Sequence, residues 1–226
     1  LKTKQLIPYF CKNIFLMSLL EALKWRYATK KFDISKVIPV EDIEKIKAGF
    51  NLSATSYGLQ PVSLILVRNK IIQKELVPLS MNQKQVEQAS HLAIFCVKTT
   101  LDAPYVIDYF ERIKSIRKTE DKILASFRTH IIDSFEKKST DDIYFWAAKQ
   151  AYLTMGNLLA VCADLRIDAC PMEGFDPEAY DTYFDLNAKG LRSVLIMPMG
   201  YRAGDDILSE LKKVRKKVSE SVIEIN

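Results

Sequence analysis

The stretch LKWRYATKKFD, residues 23–33, lies where a helical pattern ends and an extended pattern begins. It brings together four cations and three aromatic rings, namely Lys24, Arg26, Lys30 and Lys31 with Trp25, Tyr27 and Phe32. In a folded chain the rings pack inward, so the cations face either water or an anion. A second basic cluster lies near the other end of the sequence and consists of Lys212, Lys213, Arg215, Lys216 and Lys217. Two clusters that meet would cradle a phosphate, whereas exposed basic runs are more often solvated surface, and the residues alone leave both interpretations open.

The size and composition are those of a globular protein. A chain of 226 residues is long enough for one well-filled core and predicts a single domain. Its 48% hydrophobic and 27% charged content argues against disorder or a fibrous repeat. The net charge of +5 is mild, and the sequence holds no helix-turn-helix, zinc-finger or RNA-binding signature, so we expect no nucleic-acid partner.

The cysteines and histidines argue against several kinds of site. The four cysteines, Cys11, Cys96, Cys162 and Cys170, lack CxxC spacing and sit in apolar surroundings, which is typical of reduced thiols in a cytoplasmic protein. His91 and His130 are the only histidines and lie far apart in the sequence. A metal site and a histidine-based catalytic triad are therefore both disfavoured.

The first sixteen residues resemble no standard targeting segment. Their apolar run is interrupted by Pro8, Lys12 and Asn13, and no small-residue cleavage motif follows it. We interpret residues 1–16 as an appendage, Met17 as a possible alternative start, and residues 17–226 as the folded domain. No apolar stretch reaches the length of a membrane span, so we expect no membrane partner and a cytoplasmic location.

Hydrophobic periodicity predicts an alternation of helices and strands. Helices are expected after the N-cap Ser18, at 39–50, at 71–79, once or twice within 103–138, from 141 to about 165, and from Pro177. Strands are expected at 62–67, 91–99 and 193–201, with a short one in RIDAC (residues 166–170) and a fifth in the terminal SVIEIN (residues 221–226), which could pair with another subunit. The segment AYLTMGNLLAVCA, residues 151–163, is apolar on nearly every face, so we expect it to be buried all round, in the core or against a second subunit.

The best-known nucleotide-binding motifs are missing. The seven glycines form neither GxGxxG nor GxxxxGK[ST]. The acidic pairs Asp141–Asp142 and Asp205–Asp206 are more typical of helix caps than of acid/base dyads. Taken alone, the residues indicate an α and β protein with an anion site.

The order of five motifs goes further. LKWRYATKKFD, SATSYGLQP (residues 53–61), MNQKQ (81–85), PMEGFD (171–176) and KKVRK (212–216) follow one another as they do in the nitroreductase family. The chain closely resembles the branch of oxygen-insensitive NAD(P)H nitroreductases and dihydropteridine-reductase-like enzymes from Met17 to the C-terminus. The resemblance implies an α+β sandwich, with a mainly antiparallel central sheet flanked by helices, that forms a domain-swapped homodimer with FMN at the subunit interface.

Site residues carry over from the same motifs as expectations. In the first motif, Tyr27 and Ala28 would line the FMN site beside Arg26, which with Lys213 and Arg215 would hold the phosphate. Lys30 would approach the pyrimidine edge of the ring, where a positive charge favours reduction. Thr55, Ser56 and Gly58 would reach across from the partner subunit, and Asn82 and Gln85 would hydrogen-bond the polar edge of the ring.

The fourth motif would lie closest to the chemistry. Pro171, Met172, Glu173 and Gly174 would turn backbone N–H groups toward the ring. Lys30 and Glu173 are the candidate catalytic residues, and the alternative for Glu173 is an ordinary solvated carboxylate. Many relatives carry a hydroxyl at the position of Ala28 and a lysine at that of Gln85, so we expect weaker flavin retention or a lower reduction potential here.

The implied activity is ping-pong hydride transfer. NADH or NADPH would reduce FMN and leave, and a nitroaromatic, quinone or similar acceptor would then use the same pocket. One alternative is a specialised flavin enzyme of the same fold, such as a dihydropteridine reductase or a dehalogenase-like member. The other is a non-enzymatic anion-binding dimer.

Overall fold

The computed structural model describes residues 18–225. The predicted appendage, residues 1–16, with Cys11 inside it, lies outside the described residues. The helices are α1 Leu19–Trp25, α2 Val40–Asn51, α3 Lys70–Glu75, α4 Gln85–Gln88, α5 Ala103–Arg117, α6 Asp121–Glu136, α7 Thr140–Asp164, α8 Pro177–Tyr183 and α9 Val218–Ser221. The strands are β1 Val62–Val67, β2 His91–Lys98, β3 Asp168–Ala169 and β4 Leu191–Gly200.

Within residues 18–225 the strands form one antiparallel sheet in the order β1-β2-β4-β3. β2 lies in the middle and is buried along almost its whole length, as its unbroken apolar sequence predicts. β1 is an edge strand, and its four central residues are only partly buried rather than enclosed. The helices flank this sheet, so the prediction of an α+β fold with an antiparallel centre is confirmed.

The alternation of side chains along β2 divides the core between the two faces of the sheet. Ala93, Phe95 and Val97 face a cluster that also contains Ala151 and Leu158 of α7. The intervening residues of β2 pack in a second cluster with α8 and the segment around α4, which includes Leu92, Ile94, Cys96, Val86 and Tyr180. Complete burial of a side chain such as Leu158 contributes roughly 1.5–3 kcal/mol, so α7 is held mainly by packing against the sheet.

Helix α7 begins with a reciprocal cap. The Ser139 side chain accepts a hydrogen bond from the backbone N–H of Asp142, and the Asp142 carboxylate accepts one from the backbone N–H of Ser139. Such a cap stabilises a helix by about 1 kcal/mol. The prediction that Asp141 and Asp142 mark a helix start is therefore confirmed.

Two apolar segments have open faces in the single chain. Tyr152 and Leu153 are 49% and 53% exposed, so the 151–163 segment is not buried within the core of one chain, and its burial against a second subunit stays a prediction. The C-terminal SVIEIN forms no fifth strand within residues 18–225: α9 ends at Ser221, and residues 222–225 are exposed and pair with no strand of the described chain. Its pairing with another subunit also stays a prediction.

Among residues 18–225, no helix combines the length and the apolar character that crossing a membrane requires.

Candidate functional site

Both ends of the described chain meet beside the end of α1. The helix stops at Trp25 because Arg26 adopts extended backbone angles, and this places the Arg26 side chain half-buried at the surface. The Lys213 ammonium donates a hydrogen bond to the Arg26 carbonyl oxygen. Burial lowers the pKa of the Arg26 guanidinium, and the nearby charge of Arg215 lowers it further. We call Arg26, Lys213 and Arg215 the basic cradle.

The basic cradle carries positive charge without a carboxylate partner. Burial lowers the pKa of Lys213, and repulsion from Arg26, Arg215 and Arg202 adds to the effect. None of the three cradle residues takes part in an ion pair within residues 18–225. Guanidinium and ammonium groups gathered in this way repel one another, and an anion such as a phosphate would relieve that repulsion.

Asp206 fastens the first motif to the C-terminal segment. Its Oδ2 atom accepts hydrogen bonds from the Tyr27 hydroxyl at 3.0 Å, the Lys30 backbone N–H at 3.1 Å and the Lys31 backbone N–H at 3.3 Å. Burial raises the pKa of this carboxyl, but the hydrogen bonds together lower it more, so it lies below its ordinary value. Asp206 also caps the short 3-10 turn that starts at Ile207, as predicted, yet no sequence pattern indicated its bond to Tyr27.

Burial, together with the bond to Asp206, raises the pKa of Tyr27 to about 12. The Tyr27 hydroxyl is therefore a neutral donor that is already engaged within the protein. Any role for Tyr27 in binding a ligand would fall to its ring or backbone rather than to this hydroxyl.

Arg202 and Asp168 form a charged pair beside the first motif. The Arg202 guanidinium donates hydrogen bonds to both oxygens of Asp168, at 2.6 Å from Nη2 to Oδ1 and at 3.1 Å from Nε to Oδ2. Asp168 is 3% exposed, and the Thr29 hydroxyl donates to its Oδ1 at 3.4 Å. Arg202 also stacks on the Trp25 and Tyr27 rings, at 4.4 and 4.5 Å from their centroids. This pair was missed, because residues 34 positions apart meet only through the β3–β4 register.

Lys30 lies beside the fourth motif. Ala28 forms a parallel bridge with Ala169, so the two chain segments run alongside each other. The Lys30 ammonium consequently lies 3.5 Å from the Cys170 sulfur, directly before Pro171. Burial raises the pKa of the Cys170 thiol more than the nearby Lys30 lowers it, so this cysteine is a neutral thiol, as its apolar surroundings predicted.

The backbone of the 171–174 turn differs in part from the prediction. Met172 exchanges two hydrogen bonds with Ile196 of β4, with its N–H donating at 2.9 Å, so that N–H is not available to a ligand. Pro171 has no N–H to offer. Among the described residues, the N–H groups of Glu173 and Gly174 make no backbone hydrogen bond, so only these two of the four positions retain the predicted role.

Glu173 stands at the rim of a cavity of about 400 Å³ between α7 and the turn. Its Oε1 atom accepts a hydrogen bond of 2.8 Å from the Tyr152 hydroxyl, a residue that the sequence did not single out. The remaining lining is mostly apolar and consists of Met155, Gly156, Leu159, Pro171, Met172 and Leu195. Burial raises the pKa of Tyr152, and the bond to Glu173 raises it further, so the hydroxyl stays a donor to the carboxylate.

The third motif contacts this turn through two amides. Gln85 is buried and donates from Nε2 to the Gln83 Oε1 atom at 2.9 Å, and Gln83 donates from its own Nε2 to the Gly174 carbonyl at 2.8 Å. Asn82 is exposed and adopts a left-handed backbone with φ of 57°. The structure therefore brings the third and fourth motifs together, while Gln83, which links them, was not predicted.

The 53–61 turn lies apart from the basic cradle in a single chain, with Thr55 only partly buried. The Ser56 backbone N–H donates to Gln150 of α7 at 2.9 Å, and the Tyr57 ring stacks on Trp146 with centroids 6.3 Å apart. Gly58 has φ of 74°, and a Cβ atom there would lie 2.5 Å from the Tyr109 hydroxyl oxygen. The close approach expected at Gly58 is thus made to α5 of its own chain, and Thr55, Ser56 and Gly58 are not assembled with the other predicted residues.

Comparison with known proteins identifies the group to which the chain belongs. The model of the nitroreductase family matches residues 23–201. The oxygen-insensitive NAD(P)H nitroreductase of Salmonella typhimurium is 30% identical over 217 residues, which are 92% of this chain and 100% of that protein. The protein of the same name from Enterobacter cloacae is 33% identical over 212 residues, which are 90% of this chain and 97% of its own.

Solved structures share the fold at lower identity. A nitroreductase family protein of Streptococcus pneumoniae superposes with a TM-score of 0.77 at 23% identity, covering 92% of this chain and 100% of that chain. A protein of Exiguobacterium sibiricum solved in complex with FMN gives a TM-score of 0.80 at 15% identity, covering 92% and 98%. The family match spans the first four motifs and the whole sheet, and the relatives align from end to end. The chain belongs to the nitroreductase family.

Proposed function

We propose that the protein is an FMN-dependent oxidoreductase that uses NADH or NADPH to reduce nitroaromatics, quinones or similar small acceptors. Two relatives that match nearly the whole chain bear the name oxygen-insensitive NAD(P)H nitroreductase. A structural neighbour of the same fold was solved in complex with FMN. These names give the class of reaction, and the residues of this chain must supply a place for the cofactor.

The observation that carries the proposal is the convergence of Arg26, Lys213 and Arg215. Three cations from opposite ends of the described chain gather at one place, where burial and mutual repulsion lower the pKa values of Arg26 and Lys213. No ion pair among residues 18–225 neutralises them. A phosphate monoester would accept charge-assisted hydrogen bonds from this set, so the donors present fit the phosphate of FMN.

The remaining residues have roles in positioning. Bound FMN supplies the two-electron chemistry between NAD(P)H and the acceptor. We assign Lys30 to the pyrimidine edge, where its ammonium would stabilise negative charge that develops on the ring. Asp206 fixes the Lys30 backbone by accepting its N–H, and the apolar Pro171 and Met172 exclude water from the neighbouring surface. Glu173 would lie near the reacting edge, held by Tyr152.

We further propose that the working protein is a homodimer. The exposed face of α7 presents Phe145, Tyr152 and Leu153, with exposures of 61%, 49% and 53%. The C-terminal segment adds the exposed apolar residues Val214, Val218, Val222, Ile223 and Ile225. A second copy would cover these surfaces, and the family resemblance implies that it supplies its own 53–61 turn to the site.

The purified protein tests the proposal directly. It should be yellow, with flavin absorbance that bleaches anaerobically on addition of NADH or NADPH and returns when a nitroaromatic or quinone is added. Gel filtration should give the mass of a dimer. A protein that stays colourless after incubation with FMN would end the proposed function, and a stable bleach that no acceptor reverses would favour a specialised flavin enzyme.

This chain differs from many relatives at Ala28 and Gln85, and we expect both differences to affect the bound cofactor. Ala28 offers no hydroxyl to the phosphate, and Gln85 offers no positive charge to the ring. We therefore expect weaker flavin retention or a lower reduction potential than in relatives that carry those groups. A potentiometric titration that returns an equal or higher potential would remove the second part.

A further inference from the structure

A short chain of hydrogen bonds joins the 171–174 turn to the segment before α4. It starts at the Gly174 carbonyl oxygen, passes through the Gln83 amide at 2.8 Å, and reaches the Gln85 amide at 2.9 Å. The packing is close, since a Cβ atom on Gly174 would lie 2.8 Å from the Gln83 Nε2 atom. A side chain at position 174 would therefore push the Gln83 amide away from its present position.

The chemistry of the first member fixes the orientation of both amides. A carbonyl oxygen can only accept, so Gln83 must turn its Nε2 toward Gly174 and its Oε1 toward Gln85. Gln85 must in turn present Nε2 to Gln83, and the second hydrogen of that Nε2 points to the Met172 sulfur at 3.7 Å. Both donors of Gln85 are thus engaged. Its Oε1 atom accepts no hydrogen bond from the described residues and is not fully buried, since within residues 18–225 only the Gln73 Oε1 atom is both buried and unpaired.

We infer that Gln83 is a positioning residue that locks the Gln85 amide so that its acceptor oxygen, and not its N–H groups, faces the bound ring. The inference rests on the proposed function, because the ring is that of FMN. A carbonyl oxygen accepts from a ring N–H and repels negative charge. This locked orientation would therefore favour the oxidised, uncharged ring over the reduced, negatively charged ring.

Leucine variants of the holoenzyme test the lock. Gln83→Leu should weaken FMN binding roughly threefold to tenfold, the range expected for one hydrogen bond in a partly buried site. Gln85→Leu should cost about the same, and the double variant little more than either alone, because the two amides act as one unit. Lys84→Ala, an exposed neighbour between them, should leave binding unchanged. Gln83→Met serves as a second variant if Gln83→Leu fails to fold.

The reduction potential separates positioning from a merely structural role. A structural defect weakens binding of both redox forms alike and leaves the potential unchanged. Release of the Gln85 amide lets it turn a donor toward the ring, so Gln83→Leu should raise the potential by about 15–30 mV, which is a threefold to tenfold change in the affinity ratio of a two-electron couple. An unchanged potential, unchanged FMN affinity, or fully additive losses in the double variant would overturn the inference. Wild-type protein that binds no FMN would count against the proposed function instead.

Discussion

The basic cradle and the 53–61 turn are held by different kinds of contact. The segment that carries Arg26 and Lys30 is fixed by carboxylates from distant parts of the same chain, with Asp206 accepting from Tyr27 and from the Lys30 backbone. The turn is fixed by packing against α5, α6 and α7, through Tyr57 and Gly58. A single chain therefore brings the three cations of the basic cradle together. The 53–61 turn is also firmly packed in the single chain, but it is not assembled with them.

This contrast bears on how such a site assembles. Charged groups that must converge need fixed backbone, and buried carboxylates supply it at the cost of desolvation. A turn that only has to cover a ligand needs a firm shape and can come from a second copy. We therefore expect changes to the carboxylates to act on folding and cofactor binding together, and changes to the turn to act on dimer-dependent properties.

The largest effect is expected from Arg202→Ala. The substitution leaves the Asp168 carboxylate buried with only the Arg202 backbone N–H and the Thr29 hydroxyl as donors. Removal of one partner of a buried ion pair costs about 3–5 kcal/mol, so the free energy of unfolding should fall by that order. Urea denaturation at a fixed protein concentration measures it.

Lys31→Ala is the matched control for that experiment. It breaks the ion pair with Asp205 at the same edge of the molecule, but both side chains of this pair are largely exposed. The free energy of unfolding should remain nearly unchanged. If the two substitutions lowered the free energy of unfolding equally, burial of the Asp168 carboxylate would not explain the effect of Arg202→Ala.

The next largest effect is expected on cofactor affinity. Arg26→Ala and Arg215→Ala each remove a charge-assisted donor, worth roughly 1.5–3 kcal/mol, so FMN should bind about 10- to 100-fold more weakly. Flavin fluorescence during ultrafiltration gives the dissociation constant, and gel filtration should still show the dimer. The exposed Lys217→Ala is the control. Full flavin occupancy in the Arg26 and Arg215 variants would contradict the cradle.

Most of the fold could be predicted because local pattern and tertiary environment agree there. The unbroken apolar run of β2 predicted a buried strand, and Asp141 with Asp142 marked the start of α7, where the structure adds the Ser139 cap. Local pattern decides less where a segment has no covering neighbour in one chain. The 151–163 segment and the C-terminal SVIEIN are apolar, yet in one chain their outer faces are open, so their burial against a second subunit stays a prediction.

The motifs of the candidate site were predicted, whereas the residues that connect them by hydrogen bonds and ion pairs were not. The two basic clusters are visible in the sequence, but only the family resemblance predicted that Arg26 and Lys213 come together. Asp168, Arg202 and Gln83 could not be predicted, since each is a single polar residue whose partner is chosen by strand register or by a turn. We predicted that the backbone N–H groups of residues 171–174 face the ring. This is wrong for Met172, because its N–H donates to Ile196 of β4.

The next effect is expected from Gly58→Ala in the 53–61 turn. Gly58→Ala forces a side chain onto a left-handed backbone and against the Tyr109 hydroxyl, 2.5 Å from the new Cβ atom. Strain of this kind costs about 1–3 kcal/mol, and it should appear in the free energy of unfolding. Tyr109→Phe in the same chain removes the hydroxyl and should restore part of the loss, leaving the backbone strain. At a protein concentration high enough to favour the proposed dimer, the FMN affinity of Gly58→Ala should change less than that of Arg26→Ala.

The last expected effect is a dependence of stability on pH that arises at His91, the first residue of β2. His91 is 6% exposed and hydrogen-bonds Ser90, which also accepts the Ile38 backbone N–H at 2.9 Å. Burial lowers the pKa of His91 to about 4, and the cations Arg68, Lys70 and Lys47 add to the effect. The folded state therefore keeps this imidazole neutral at a pH where the unfolded chain, with a pKa near 6.5, already binds a proton.

The sign of the dependence follows from that difference. Above about pH 6.5 both states are neutral and the contribution of His91 to stability is constant. As the pH falls from about 6.5 toward 4, only the unfolded state gains a proton, so the folded state loses up to about 1.4 kcal/mol per pH unit. The His91→Asn variant lacks this loss, and its deficit against the wild type should shrink between pH 7 and pH 5. A deficit that stays constant over that range would show that protonation of His91 does not destabilise the folded state.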